Sequence, residues 1–238
     1  MKVSCNKEIF EKFTEASFHA VVFDNVNLLS EETAGVWKQK AVQDVEARGI
    51  KPELLTENSA IKQWRDAYYK FGLKPSKYRS SIEQLYKRAL KGDYLQTRLP
   101  LVNLYCYISI LNMTPMGGYD LSRVKDKIEI RYTAEAEDFQ AIGERVSIKS
   151  PPGIVSYADA SGIICWGWNH RDSLRTCLNE KTRTAIFFAD SATGATYEMS
   201  ETAIRNLSKT LLNSGCRLIS EFVLDSKNPQ AEFKDFSL

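Results

Sequence analysis

GIICWGWNHRD, Gly162 to Asp172, follows the strand-like run IVSYADAS, Ile154 to Ser161. Within seven residues it places Trp166, Trp168, Asn169, His170, Arg171 and Asp172 at the end of an apolar run. A strand end that served packing alone would rarely concentrate so much hydrogen-bonding and stacking capacity. Similar short runs extend outward on both sides. IEIRYTA starts at Ile128, ERVSIK at Glu144, GIVSYAD at Gly153 and RTAIFFA at Arg183, with Gly, Pro and polar turns between them. This half of the chain therefore reads as β-rich.

The other half reads as mainly helical. Phe18 to Val26 is a strand by its β-branched and aromatic residues. Ser30, followed by Glu31 and Glu32, predicts a capped helix to Arg48, stopped by Gly49. A second helix after Asn58 carries Ile61, Trp64, Ala67, Tyr68 and Phe71 on one face and ends at Gly72. Ser80 and Glu83 form a capping box for a third, Ser81 to Lys91. Pro100 precedes a fourth, Val102 to Asn112, and Ser200 caps a last one, Glu201 to Asn213. The fold class is α+β, with helices packed on a mixed, mainly antiparallel sheet. One domain spans residues 1–224, its first 63 residues an extension packed on the rest, and a polar, loosely held tail begins at Asp225.

Composition narrows the function classes. At 238 residues, 43% hydrophobic and 26% charged, the chain matches ordinary soluble globular proteins. Its net charge of +2 means that binding a polyanion needs a local basic patch. No apolar run approaches the roughly 18 residues of a membrane span, and the N-terminus lacks the apolar core of a secretory signal. Cys5, Cys106, Cys165, Cys177 and Cys216 are odd in number and scattered, which suits reduced thiols in a cytoplasm. Cys165, His170 and Cys177 lack compact ligand spacing, so neither a metal nor another cofactor is expected.

Three further segments complete a family pattern: KPSKYRSSIEQL from Lys74, LVNLYCYISI from Leu101 and MGGYDL from Met116. Together with WNHR from Trp168, they resemble the free-standing versions of the B3/B4 tRNA-binding domain, the editing module of the bacterial phenylalanyl-tRNA synthetase beta chain. Those versions often read PSxYRxSxEAL, LVDLYNxxSL, VGGYDL and WNWR in the same order, and the resemblance covers about Trp64 to Asp190. It implies a mixed α/β fold with a pocket between its helical and sheet halves. It implies hydrolysis, in trans, of the ester that joins a wrong amino acid to tRNA. The partners it implies are the acceptor end of tRNA and an aminoacyl-tRNA synthetase, with no membrane. Such editing exists because one hydroxyl or methyl group gives too little discrimination in a single binding step.

The residues allow two readings at most positions. Trp166 and Trp168 either wall a pocket or fill the core, while Asn169 orients an ester or water and Arg171 either holds a phosphate or carboxylate or forms a surface ion pair. Gly117 and Gly118 either form a tight turn or present backbone amides to an oxyanion, with Tyr119 and Asp120 beside the substrate. In the synthetase pattern, PLHAFD, a His stands where this chain has Gly117. On the helix, Asn103 and Cys106 replace the Asp and Asn of LVDLYN, with Tyr105 between them, so a different polar group of the substrate is read. Cys106 invites a nucleophile, but a buried, inert thiol fits better. In the synthetase module an acid near Asp190 reads the tyrosine hydroxyl, and alignment to Ala189 or Asp190 is open by one residue; Asp190 reads equally as a turn-initiating Asp. Arg131 and Glu144 read as a surface or sheet-edge pair. Lys74, Lys77, Arg79, Lys87, Arg88 and Lys91, interleaved with tyrosines, either track a tRNA backbone or form a solvated face. The catalytic residues expected are Gly117, Gly118 and Asn169. A trans-editing deacylase leads, against a non-catalytic tRNA or aminoacyl-adenosine binder and an amino-acid binder.

Overall fold

Local chemistry sets the helix ends. The computed structural model describes residues 1–234. The chain opens with β1 (Lys2–Cys5), α1 (Lys7–Lys12) and β2 (Ser17–Asp24). Four helices follow: α2 (Glu31–Arg48), α3 (Ser59–Lys70), α4 (Ser81–Ala89) and α5 (Pro100–Asn112). Next come β3 (Met116–Asp120), β4 (Lys127–Tyr132), β5 (Glu137–Phe139), β6 (Ile148–Ser150) and β7 (Val155–Asp159). β8 (Gly162–Trp166), β9 (Arg171–Asp172), β10 (Ala185–Ser191), α6 (Tyr197–Asn213), β11 (Arg217–Leu224) and β12 (Gln230–Glu232) complete the order.

Ser30 Oγ accepts the Thr33 amide at 3.2 Å, and α2 stops at Gly49 with φ of +57°, where a side chain would be strained. Ser80 Oγ accepts the Glu83 amide at 3.4 Å, but the Glu83 carboxylate does not close the box. It turns to Arg65 on α3 at 2.8 Å and to Arg79 at 3.4 Å. α6 starts four residues before the predicted Glu201. Ser200 is buried inside it, donating to the Asp190 carbonyl at 2.8 Å, so the residue expected as a cap anchors the helix to β10. Of ERVSIK, only its last two residues fall in a strand.

The strands form a six-stranded sheet, β12-β1-β4-β7-β8-β9, a four-stranded sheet, β11-β2-β10-β3, and the ribbon β5-β6. Every pairing is antiparallel except β1 with β4. The α+β class is therefore correct, with two main sheets where one was expected. Strand alternation then sorts the side chains. On β10, Ile186 and Phe188 enter the core between the two sheets, beside Phe18, Tyr119 and Tyr157. Ala185, Phe187 and Ala189 face the second core, built with α2, α5 and α6.

Two expectations about chain organisation are corrected. β2 lies between β11 and β10, and β1 lies between β12 and β4, so the first 63 residues supply interior strands to both sheets. The tail is not loose as far as Glu232, because β12 pairs with β1 from Gln230↔Ser4 to Glu232↔Lys2. Residues 235–238 lie outside the described residues. Among the described residues, no helix is long and apolar enough to cross a membrane.

The two glycines of β3 meet different surroundings. A Cβ on Gly118 would lie 2.8 Å from two Phe187 ring atoms and 3.1 Å from Leu178, inside the second core. Gly118→Ala is therefore expected to cost about 1–3 kcal/mol in urea unfolding, as overpacking does. A Cβ on Gly117 would meet only Tyr119 Oη closely, at 3.2 Å, and Gly117→Ala is expected to stay within about 1 kcal/mol of wild type. Equal losses for both would refute this division of the strand.

Candidate functional site

The hairpin from β8 to β9 pairs Trp166 with Arg171 and leaves Gly167 to His170 as its loop. Gly167 has φ of +69°, and Trp168 has φ of +62°, a region that bulky residues rarely enter. The loop is held where the Trp168 amide donates to the Val155 carbonyl at 2.5 Å. This reversal sends the indole inward. It stacks on Phe18 at 5.7 Å and meets Phe13 and Trp64 edge-on at 5.0 and 5.2 Å. The Asn169 carbonyl accepts from the amide of Ser81, the first residue of α4. Asn169 Oδ1 accepts from Tyr68 Oη at 3.0 Å, which leaves Nδ2 as the free end of the amide. Asn169 Nδ2 and Trp168 Nε1 are both buried without a hydrogen-bond partner. Both lie close enough to Asp190 to favour its ionised form.

These groups line a cavity of about 230 Å³ between the two sheets, with Ser81 at its α4 side. The pocket expected between helices and sheet is thus an inter-sheet one. Asp190, on the Phe188 face of β10, accepts from Tyr157 Oη at 2.5 Å. Ala189 points to the opposite core, so the register assigns the acid to Asp190. Asp172 is the second carboxyl of the cavity, and Tyr119 Oη donates to its Oδ1 at 3.3 Å. Gly117 borders the same corner, where a Cβ would stand 4.0 Å from Asp172 Oδ1. The missing side chain keeps that corner open.

Burial raises the Asp190 pKa to about 7, against the hydrogen bond from Tyr157 and the nearby Asn169 amide, with the nearby Asp172 pushing it further up. Burial likewise raises Asp172, opposed by the Cys165 thiol and Tyr119. The Cys165 thiol is itself pushed well up by burial and by Asp172, and is no thiolate nucleophile. An acid raised on folding stabilises the fold fully only below its unfolded pKa. For Asp190 that stability is lost as pH climbs from the ordinary carboxylate range to about 7. Asp190→Asn is therefore expected to raise the melting temperature at about pH 8 and to change it little at about pH 4. A pH-independent change would show that Asp190 does not carry the burial cost assigned to it.

Gly117, Tyr119, Trp168, Asn169, Arg171 and Asp190 thus meet at one cavity, and Asn103, Tyr105, Cys106, Gly118, Asp120 and Trp166 stand outside it. Asn103 is tied to Thr97 through its amide and carbonyl, closing the turn before α5. Tyr105 and Cys106 lie in the helix-facing core, where burial drives the Cys106 thiol far up. Asp120 accepts from Ser122, Asn179 and Thr182. Trp166 Nε1 donates to Ser150 Oγ at 2.7 Å.

The glycine amides point to opposite sides of β3. Hydrogen bonds from Asp190 to Pro115 and from Leu121 to Thr184 bracket the ladder. They make Gly117↔Phe188 a hydrogen-bonded pair, so the Gly117 amide is spent within the sheet. Gly118 instead looks out toward the Thr176–Leu178 segment, where Tyr119 bridges Cys177. The donors that the cavity offers are therefore Asn169 Nδ2 and Trp168 Nε1, in place of the expected amide pair.

Sequence reasoning passed over Asp172, Tyr157, Cys165 and Ser81 as site residues. Asp172 stood in the opening segment, and Tyr157 stood at an alternate position of a strand, but nothing local marked the cavity they share. The two imidazoles differ. His170 Nδ1 donates to the Arg79 carbonyl at 2.7 Å, which leaves Nε2 as its unprotonated nitrogen, and His19 sits beside Tyr197, its pKa lowered by burial to about 4. Arg131 pairs with Glu137 at 2.7 Å, whereas Glu144 lies 3.7 Å from Arg171, so the expected Arg131–Glu144 pair is not formed. Among the basic residues, Arg79 is engaged by Glu83 and Arg88 by Asp93, while Lys74, Lys77, Lys87 and Lys91 are exposed. Among the described residues, no group of three or more His, Cys, Asp or Glu could hold a metal ion.

A family model, the B3/4 domain, matches residues 63–227, more than half of the chain. The chain belongs to the B3/4 domain family. This B3/4 domain is also similar to a solved N-terminal fragment of the phenylalanyl-tRNA synthetase beta-subunit from Pyrococcus horikoshii, at 12% identity and a TM-score of 0.44. The likeness covers 52% of this chain and 43% of that fragment, so the chain spans less than half of it. No curated protein matches the B3/4 domain described here.

Proposed function

We propose that this B3/4 domain is an aminoacyl-tRNA deacylase acting in trans on a mischarged tRNA. The observation that carries the reading is one cavity holding a buried carboxyl, Asp190, a half-buried one, Asp172, and two unpartnered N–H donors. At about 230 Å³ it is smaller than the roughly 300–1,000 Å³ of drug-sized pockets, and it suits an aminoacyl group rather than a whole nucleotide. A hydroxyl on that group accepts from both Trp168 Nε1 and Asn169 Nδ2 and donates to Asp190, satisfying all three. The aromatic walls, Tyr119, Tyr157 and Phe188, take its apolar part.

Asp172 is the general base, its raised pKa bringing it nearer to neutrality. It takes a proton from a water that attacks the ester carbon. The bond from that carbon to the ribose oxygen then breaks, and the proton passes to the departing ribose hydroxyl. Tyr119 holds Asp172 in place, and Tyr68 holds Asn169 so that Nδ2 orients the substrate. Arg171, about half exposed at the mouth, faces the ribose and phosphate, and Lys74, Lys77, Lys87 and Lys91 follow the acceptor stem.

A panel of correctly charged and mischarged tRNAs, incubated with wild type and Asn169→Ala, tests the reading. One or more esters should be lost with wild type and retained with the variant. The commitment of the Gly117 amide to β10 favours a second reading, a non-catalytic binder of aminoacyl-tRNA. Salt-sensitive binding with every ester intact would select it.

A further inference from the structure

A second cavity, of about 280 Å³, opens beside the first and shares His170 and Arg171 with it. Its base is the buried pair Trp166 and Phe139, stacked at 6.2 Å. Tyr78 stands edge-on to Trp166 at 5.3 Å and to His170 at 5.5 Å. Its rim exposes Val146 by 75% and Ile148 by 50%, an apolar surface that a monomer would gain nothing by showing to water. Cations surround this aromatic cleft: Lys77 Nζ lies 5.0 Å from the Tyr78 ring, and Arg171 closes the wall toward the first cavity.

This geometry has one natural occupant if the first cavity holds an ester of RNA, a reading on which the inference rests. The first cavity is too small for the nucleoside as well as the acyl group. The base hangs from the same ribose as the ester, so it must lie just outside the mouth. The His170–Arg171 pair lines both the first cavity and the cleft. We propose that the cleft holds the terminal nucleobase of that RNA, an adenine, stacked against its aromatic side chains. The exposed Glu144 carboxylate, 3.7 Å from Arg171, is placed to accept its exocyclic amine. Stacking of this kind tolerates any π-face, and the carboxylate supplies the preference for an amino-bearing base.

The test uses uncharged bulk tRNA, intact or trimmed of its 3′-terminal adenosine, in filter-binding titrations. Wild type should bind the intact form about tenfold more tightly, the scale of one base–aromatic stack. Val146→Glu and Ile148→Glu, both at exposed positions, should erase that preference while melting as wild type does. Gly117→Leu, which fills the first cavity, should keep it. Equal binding of both tRNAs by wild type overturns the inference. So does a preference that survives both rim variants, or one that disappears only with Gly117→Leu. A dimer in sedimentation that the rim variants dissolve also overturns it, because a second copy then covers the cleft. The two proposals fail separately. Adenosine-dependent binding with no ester lost sinks the deacylase and leaves the cleft, and ester loss without that dependence does the reverse.

Discussion

Asp172→Asn is expected to lower the rate of ester loss by about 10²–10⁴-fold, the range for removing a positioned general base. The substitution keeps the shape of the side chain and an oxygen that accepts from Tyr119, so the fold should be retained. What disappears is the ability to take a proton. In single-turnover deacylation the rate should fall while tRNA affinity changes little, since the loss belongs to the chemical step. The wild-type rate should also rise with pH as Asp172 ionises, and the variant should lose that rise. A variant within threefold of wild type would remove Asp172 from the chemistry and turn attention to Asp190, whose raised pKa gives it the same capacity.

Trp168→Ala is expected to destabilise the protein by about 3–5 kcal/mol, the usual range for truncating a fully buried Trp. Its indole is 0% exposed and touches Phe13 at the end of α1, Phe18 of β2, and Trp64 and Phe71 of α3 and its C-cap. The alanine would keep the left-handed backbone at this position without the contacts that impose it. Denaturant unfolding, followed by circular dichroism, gives the number. Trp168→Phe should recover part of the packing and none of the Nε1 donor. It should therefore separate stability from substrate binding. A loss below about 1 kcal/mol for the alanine would mean that the aromatic cluster does not hold the loop.

How much of this was legible in the chain depended on the range of the forces involved. Ser30, Asn58 and Gly49 act through hydrogen bonds and φ angles a few residues away, and the helices they bound were read correctly. β10 was evident from RTAIFFA, but which of Ala189 and Asp190 faced the site depended on two neighbouring strands. β1, at four residues, carries no periodicity of its own. It is a strand because β4 and β12 pair with it, and those partners lie more than 100 positions along the chain. β11 breaks its alternation at a bulge between Leu218 and Ser220, which hides it from a period-two reading. The site followed the same rule. The resemblance named Asn169 and Arg171, which line the cavity, yet nothing in the sequence marked Asp172, which meets Gly117 and Tyr119 only in the folded chain.

The position of β2 has a consequence for the order in which the molecule can be assembled. Its partners, β10 and β11, begin 168 and 200 residues after its own first residue. A ribosome that has delivered β2 must therefore supply nearly the whole chain before the four-stranded sheet can close. Until then Phe18, Val21, Val22 and Phe23, all fully buried in the finished protein, have no sheet to enter. Such distant pairings cost loop entropy before they return contacts, which makes folding slow and leaves the nascent chain open to aggregation. The same arrangement means that the segment matched by the family model, 63–227, lacks the strand at the centre of its own sheet. The residues that line the cavity, Ser81 to Asp190, all lie within that segment, so the site depends on a strand from outside it to complete the sheet that carries Asp190.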